Sequence, residues 1–118
     1  MLEFDHIGLV TNEKMGNENW IEKTGVWATN PGENKFSIEW LRFADDSSLT
    51  GPVRTQPHVA FKVDSIEKES KGLKELIKPF KPADFVTVAF FEYHGLVIEL
   101  MKYSGDKNQW FDGKRYEK

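Results

Sequence analysis

The chain has 118 residues, of which 39% are hydrophobic and 30% are charged, with a net charge of −3 and no cysteine. This length allows one compact domain but not two independent ones, and the composition is that of a globular protein. The acidic balance argues against a nucleic-acid surface, no apolar run is long enough for a membrane span, and the absence of cysteine excludes disulfides and thiolate catalysis.

The first half of the chain predicts three strands and one weak helix. In order, these are a strand at residues 2–11, a helix at 12–23, a short strand at 26–29 and a strand at 36–43. The helix is weak because its apolar stripe is incomplete and Gly16 lowers its stability. We expect a first module at residues 1–46, followed by a linker at 47–56 that is rich in serine, glycine and proline.

The second half predicts a strand, a longer helix and then two or three strands. Asp64 is expected to cap the helix and Pro79 to end it, with apolar residues at helical spacing between them. The strands are predicted at residues 58–63, 85–93 and 96–103, with a further short edge strand around Phe80. His94-Gly95 is a plausible tight turn between the last two strands. The second module is therefore placed at residues 57–103, and residues 104–118 form a tail.

The two modules repeat the same phrases. Residues 4–10 read Phe-Asp-His-Ile-Gly-Leu-Val, and residues 57–63 read Pro-His-Val-Ala-Phe-Lys-Val. Downstream of each lies a second repeated phrase, Ile-Glu-Trp-Leu-Arg-Phe at 38–43 and Ile-Glu-Leu-Met-Lys-Tyr at 98–103. Internal similarity of this kind predicts two related units. The first is the shorter, which we interpret as the loss of one short strand with its turn.

The two repeated glutamates have no obvious solvent face. Alternation puts Glu39 on one face with Leu41, and Glu99 on one face with Met101, while the opposite faces are also apolar. A buried carboxylate without a partner is costly and ordinarily neutralises or binds a cation. An exposed edge strand, or a basic partner, would explain one such glutamate. Two at matching positions, each preceded by a strand histidine, favour a shared site.

These phrases resemble the vicinal-oxygen-chelate superfamily, which includes glyoxalase I, methylmalonyl-CoA epimerase, extradiol dioxygenases and the bleomycin-resistance proteins. The resemblance covers roughly residues 2–103 and is thin from 12 to 35. It implies an α+β fold of two fused βαβββ modules, here with the first one shortened, whose strands form a concave, barrel-like mixed sheet. It also implies inward metal ligands at His6, Glu39, His58 and Glu99.

Two imidazoles and two carboxylates suit a divalent ion such as Zn, Ni, Fe, Mn or Co. The resemblance implies that Glu39 or Glu99 acts as the general base, and the sequence does not choose between them. The alternative is that His6 and His58 are hydrogen-bonded strand histidines that line a trough without metal. Candidate substrate-binding residues are the apolar Phe4, Leu41, Phe90 and Met101, which core packing explains equally well, and the basic Arg54 and Lys62.

The resulting hypothesis is a metal-dependent lyase, isomerase or epimerase that acts on a small oxygenated metabolite. The rival hypothesis is a metal-free protein that sequesters a small molecule, as in the bleomycin-resistance branch, and a third is an interaction module with a degenerate pocket. Family analogy predicts a homodimer. The absence of cysteine and of a signal peptide at the start of the sequence favours a cytoplasmic protein.

Overall fold

The computed structural model describes residues 1–111, and these form eight strands, two short α-helices and a 3-10 helix at Pro31–Glu33. The strands are β1 (Leu2–Val10), β2 (Asn19–Ile21), β3 (Val26–Ala28), β4 (Ile38–Phe43), β5 (His58–Val63), β6 (Lys74–Ala83), β7 (Val86–Tyr93) and β8 (Leu96–Tyr103). The α-helices are α1 (Pro52–Thr55) and α2 (Ile66–Glu69). None of the helices in residues 1–111 is long and apolar enough to cross a membrane.

All eight strands belong to one mixed sheet, in the order β2-β3-β4-β1-β5-β8-β7-β6. Strand β1 runs parallel to β4 and β5 runs parallel to β8, while β1 and β5 pair antiparallel at the centre. The order β1-β4-β3-β2 on one side is therefore repeated as β5-β8-β7-β6 on the other. The sheet curls into a half-barrel, which confirms the predicted α+β fold of two paired modules.

The helix predicted at residues 12–23 is wrong, and so is the interpretation that the first module lacks a strand. These residues form turns and then the short strand β2, in which Trp20 pairs with Trp27 of β3. Their rings lie 4.5 Å apart, a cross-strand contact that stabilises the pair. The first module has all four strands and lacks an α-helix, and β2 and β3 are only three residues long each.

The long helix predicted in the second module is also wrong beyond its first turn. Only Ile66–Glu69 are helical, and Ser65, rather than Asp64, accepts the capping hydrogen bond from the Lys68 backbone N–H at 3.1 Å. The following residues form the edge strand β6, which carries the predicted Phe80. Its prolines lack an N–H donor and are tolerated at an edge, and pairing with β7 outweighs the helical spacing of the apolar residues.

The strand predictions for β3, β5 and the hairpin of β7 and β8 are confirmed. His94 and Gly95 occupy the hairpin turn with φ values of 48° and 91°, and glycine adopts the second of these without strain. The two faces of the sheet have separate cores. The inner-face cluster consists of Val53, Ala60, Val86, Val88, Phe90, Val97 and Met101. The outer-face cluster consists of Val63, Ala89, Phe91 and Leu100, with Ile66 and Leu73 packed on it.

Candidate metal centre and cavity

The four predicted ligands lie on the four central strands of the sheet. His6 is on β1, Glu39 on β4, His58 on β5 and Glu99 on β8, and these strands are neighbours. The register places Glu39 and His58 on either side of Gly8, and Glu99 beside Ala60, which in turn pairs with His6. All four side chains are buried and face the inside of the half-barrel.

Their donor atoms converge. His6 Nε2 lies 3.3 Å from Glu39 Oε1 and 3.4 Å from Glu99 Oε1. His58 Nε2 lies 3.2 Å from Glu99 Oε1 and 3.3 Å from His6 Nε2. The structure therefore brings together two side chains from each module, and Glu99 touches both imidazoles whereas Glu39 touches one.

A β-bulge adds a fifth polar group, Asp5, which alternation placed on the opposite face. The register between β1 and β5 shifts between Phe4 and His6, so that Asp5 and His6 are both buried on the inner side. Asp5 Oδ1 lies 2.6 Å from His6 Nδ1 and accepts a hydrogen bond from it. With a metal ion bound, this contact would keep the proton on Nδ1 and leave Nε2 free to act as a ligand. No sequence pattern indicated the bulge.

At the Nδ1 side of the ring, packing rather than a hydrogen bond holds His58. Its Nδ1 is buried and has no hydrogen-bond partner among residues 1–111. Gly8 lies directly across the strand pair, and a Cβ at that position would be 2.1 Å from His58 Cε1. The His58 ring therefore occupies the space that only glycine leaves open, and the ring of Phe90 meets its edge at a centroid distance of 5.7 Å. Gly8 thus belongs to the site, a role that sequence reasoning missed.

The electrostatics of the cluster favour a cation. Burial lowers the pKa of His6, but the charge of Glu39 and hydrogen bonds to Asp5, Glu39 and Glu99 outweigh burial and raise this pKa well above 6.5. Burial raises the pKa of Glu99, but hydrogen bonds from His58 and His6 lower it to about 2. Without a metal ion, a proton on His6 places one positive charge beside these carboxylates.

The spacing also fits a divalent ion. Nitrogen and carboxylate ligands lie about 2.1 Å from ions such as zinc, so adjacent donors are about 3.0–3.4 Å apart in octahedral or tetrahedral arrangements. The four distances between the histidine nitrogens and their neighbouring donor atoms, from 3.2 to 3.4 Å, fall in that range. The ligand atoms of His6, Glu39 and His58 all lie within 4.8 Å of one another. This buried cluster is therefore able to bind a metal ion.

The cluster forms the polar floor of a cavity of about 670 Å³, counted to include its open mouth. Above the floor the walls are apolar, with Thr24 as a further polar lining residue. The apolar lining residues are Ile21, Val26, Pro31, Leu41, Phe43, Leu49, Val53, Phe80, Pro82, Val88, Phe90, Met101, Trp110 and Phe111. An environment of this kind excludes water and strengthens electrostatic interactions at the floor.

The tail contributes two of the residues that line the cavity. Ser104 N donates to Phe85 O at 2.9 Å, and the Trp110 ring meets Phe85 at a centroid distance of 5.6 Å. Trp110 and Phe111 then reach the cavity. The sequence left open whether the tail frays or packs. Its residues 104–111 pack on the domain, and Tyr116 lies outside the described residues.

Leu41, Phe90 and Met101 line the cavity, whereas three other predicted substrate residues do not. Phe4 precedes the bulge and lies on the outer face, 48% exposed, against Phe61. Arg54 Nη2 donates to Ala44 O at 3.1 Å, and Lys62 Nζ pairs with Glu3 at 3.2 Å. The bulge explains Phe4, because one extra residue reverses the alternation on its N-terminal side.

Comparison with known proteins identifies the fold. The sequence matches no protein-family model and no curated protein. A crystal structure of a hypothetical protein from Bacillus halodurans C-125 has a TM-score of 0.61 and 20% identity, over 92% of this chain and 99% of that one. Methylmalonyl-CoA epimerase from Mycobacterium tuberculosis has a TM-score of 0.58 and 15% identity, over 87% and 89%. The chain has the vicinal-oxygen-chelate fold, as the resemblance implied.

Proposed function

We propose that the protein is a metal-dependent lyase, isomerase or epimerase that acts on a small oxygenated molecule. The observation that carries this proposal is the convergence of His6, Glu39, His58 and Glu99 from four strands onto one buried point. A divalent ion held by these residues would act as a Lewis acid and stabilise negative charge that develops on a substrate oxygen.

The two carboxylates are the groups that can move a proton, and their surroundings differ. Glu99 Oε1 is within 3.4 Å of both imidazole nitrogens, whereas Glu39 Oε1 contacts only that of His6, at 3.3 Å. Glu39 has fewer contacts to give up when it turns toward a substrate. We therefore assign Glu39 as the general base and Glu99 as a fixed ligand.

The other residues of the site position the histidines and exclude water. Asp5 holds the proton on His6 Nδ1, so that Nε2 stays available as a ligand. Gly8 leaves room for the His58 ring. The apolar walls keep water from competing for the proton that Glu39 receives.

Metal content tests the proposal. Protein purified without chelator and without a nickel column is analysed for bound metal, together with Glu99→Gln and the exposed, equally charged control Glu13→Gln. We expect near-stoichiometric metal in wild type and in Glu13→Gln, and a large loss in Glu99→Gln. Glu39→Gln should keep most of its metal, since it removes a ligand that contacts one imidazole, and should lose proton exchange at bound substrates.

A metal-free binding protein is the second candidate, and one observation favours it. The cluster can offset part of its own charge, since a proton on His6 lies beside Glu99, whose pKa is lowered to about 2. Wild-type protein with no bound metal and no affinity for added Zn, Ni, Mn or Co would overturn the enzyme proposal in favour of this one.

The homodimer and the cytoplasmic location stay predictions. Both rest on family analogy and composition, and the structure describes a single chain. Sedimentation velocity at several protein concentrations tests the homodimer, because a dimer would have twice the 13.7 kDa mass of one chain and a larger sedimentation coefficient.

A further inference from the structure

The cavity walls contain no lysine or arginine among the residues that the structure describes. The charged lining residues are Asp5, Glu39 and Glu99, beside the two histidines, and all of them lie at the floor. Five aromatic rings contribute to the apolar part, from Phe43, Phe80, Phe90, Trp110 and Phe111. A ligand that enters therefore meets apolar and aromatic surface first and polar groups only at its inner end.

Three basic side chains that a charged ligand could have used are engaged elsewhere. The Arg54 guanidinium stacks over the Phe43 ring at 5.8 Å and donates to a backbone carbonyl. Arg42 binds Glu18 through two hydrogen bonds of 2.8 Å and lies 3.9 Å from the Trp27 ring centroid. Lys62 is paired with Glu3. Within residues 1–111, none of these three cations is placed to neutralise an anionic group in the cavity.

The acidic side chains at the floor of the cavity disfavour an anionic ligand. This step rests on the proposed function. The lining has three acidic side chains, those of Asp5, Glu39 and Glu99, which outnumber the two charges of a divalent ion. An anionic ligand would add repulsion in a water-poor site, where charge interactions are strong. A neutral ligand adds none, and transfer of its proton to Glu39 leaves the total charge of the cavity unchanged.

We propose that the ligand of this cavity is an uncharged, largely apolar molecule, with an aromatic or branched aliphatic body and its oxygen atoms at one end. The body packs against the aromatic walls, and the oxygen-bearing end reaches the floor. Carboxylic acids, phosphate esters and coenzyme A thioesters are disfavoured as buried ligands, because each would bring an uncompensated negative charge.

A matched pair of probes tests this inference on metal-loaded protein. Mandelamide and mandelate share a phenyl ring and a hydroxyl group and differ in charge, and mandelate has the better oxygen donors for a metal. Isothermal titration measures their binding, and quenching of tryptophan fluorescence, to which the cavity residue Trp110 contributes, is a second readout. We expect mandelamide to bind about tenfold more tightly or better, despite that advantage of mandelate.

A pair of variants tests whether the lack of a cation in the cavity wall causes this preference. Ile21→Lys adds a cation to the cavity wall, and Asn12→Lys adds the same charge at an exposed position outside it. Only Ile21→Lys should shift the preference toward mandelate, by about tenfold. Mandelate binding as tightly as mandelamide in wild type, or neither probe binding, would overturn the inference. Metal content, measured first and without probes, separates that result from failure of the proposed function.

Discussion

The two halves of the sheet have the same strand order but differently covered outer faces. In the second half, Ile66 of α2 and Leu73 pack against Ala89, Phe91 and Leu100, which are buried to 4% exposure or less. In the first half no helix does this, and Ile7, Leu9, Ile38 and Trp40 are partly exposed on the outer face. The inner face nevertheless keeps a histidine and a glutamate in each half. The site therefore depends on the inner face of the sheet and not on the helical layer.

The two histidines of these halves are fixed by different physical means. His6 is oriented by a charged hydrogen bond of 2.6 Å from its Nδ1 to Asp5. His58 lacks such a partner in the described chain, and its ring is confined instead by the bare backbone of Gly8. A hydrogen bond tunes the basicity of the ligand as well as its direction, whereas packing sets direction alone. Variants at the two supporting residues should therefore fail in different ways.

The largest effect is expected from Gly8→Ala. The added Cβ would lie 2.1 Å from His58 Cε1, so that the ring, the strand pair or both must shift. We expect a loss of about 1–3 kcal/mol or more in the free energy of unfolding, together with loss of metal binding. Urea denaturation and metal titration measure the two effects.

Gly16→Ala is the matched control for that substitution. A Cβ at Gly16 would meet no atom within 4 Å. Its free energy of unfolding should stay within about 0.5 kcal/mol of wild type. If Gly8→Ala were equally well tolerated, the close approach of His58 to the β1 backbone would not exist in solution.

A smaller and more selective effect is expected from Asp5→Asn. The amide oxygen can still accept from His6 Nδ1, but the negative charge that raises the basicity of the imidazole is gone. Metal affinity should fall by about 10- to 100-fold with little change in fold. The exposed turn residue Asp84, changed to Asn, is the control for net charge. An unchanged affinity in Asp5→Asn would mean that packing alone orients both histidines.

The sequence was informative where structure follows from local alternation. Strand periodicity located β5 and the hairpin of β7 and β8. The repeated segments gave two histidines and two glutamates at matching strand positions, and the family resemblance implied that these side chains point inward. It was uninformative where the structure of a segment depends on pairing with a strand that is distant in the sequence. The bulge at Asp5 depends on the register with β5, and β6 is a strand because it pairs with β7. The helical spacing of apolar residues does not outweigh such strand pairing, and no local sequence pattern predicts the pairing.

The smallest expected effect is the pH dependence of stability near neutrality, and here too the two halves differ. The raised pKa of His6 means that its stabilising contribution is complete below its unfolded value of 6.5 and is lost as the pH rises through the higher folded value. The lowered pKa of Glu99 means that its contribution is complete above 4.5 and is lost as the pH falls toward about 2. The metal-free protein should therefore be most stable between these unfolded values.

Urea midpoints measured from about pH 3 to about pH 9 in chelator would show both limbs. Saturating zinc should remove the fall on the alkaline side, because the ion takes the place of the proton on His6 and binds more tightly as that proton leaves. Glu99→Gln should flatten the acid side and move the alkaline fall to lower pH, because the hydrogen bond to Glu99 helps to raise the pKa of His6. An alkaline fall that persisted under saturating zinc would mean that His6 keeps its proton and is not a ligand, which would leave the metal to the other three side chains.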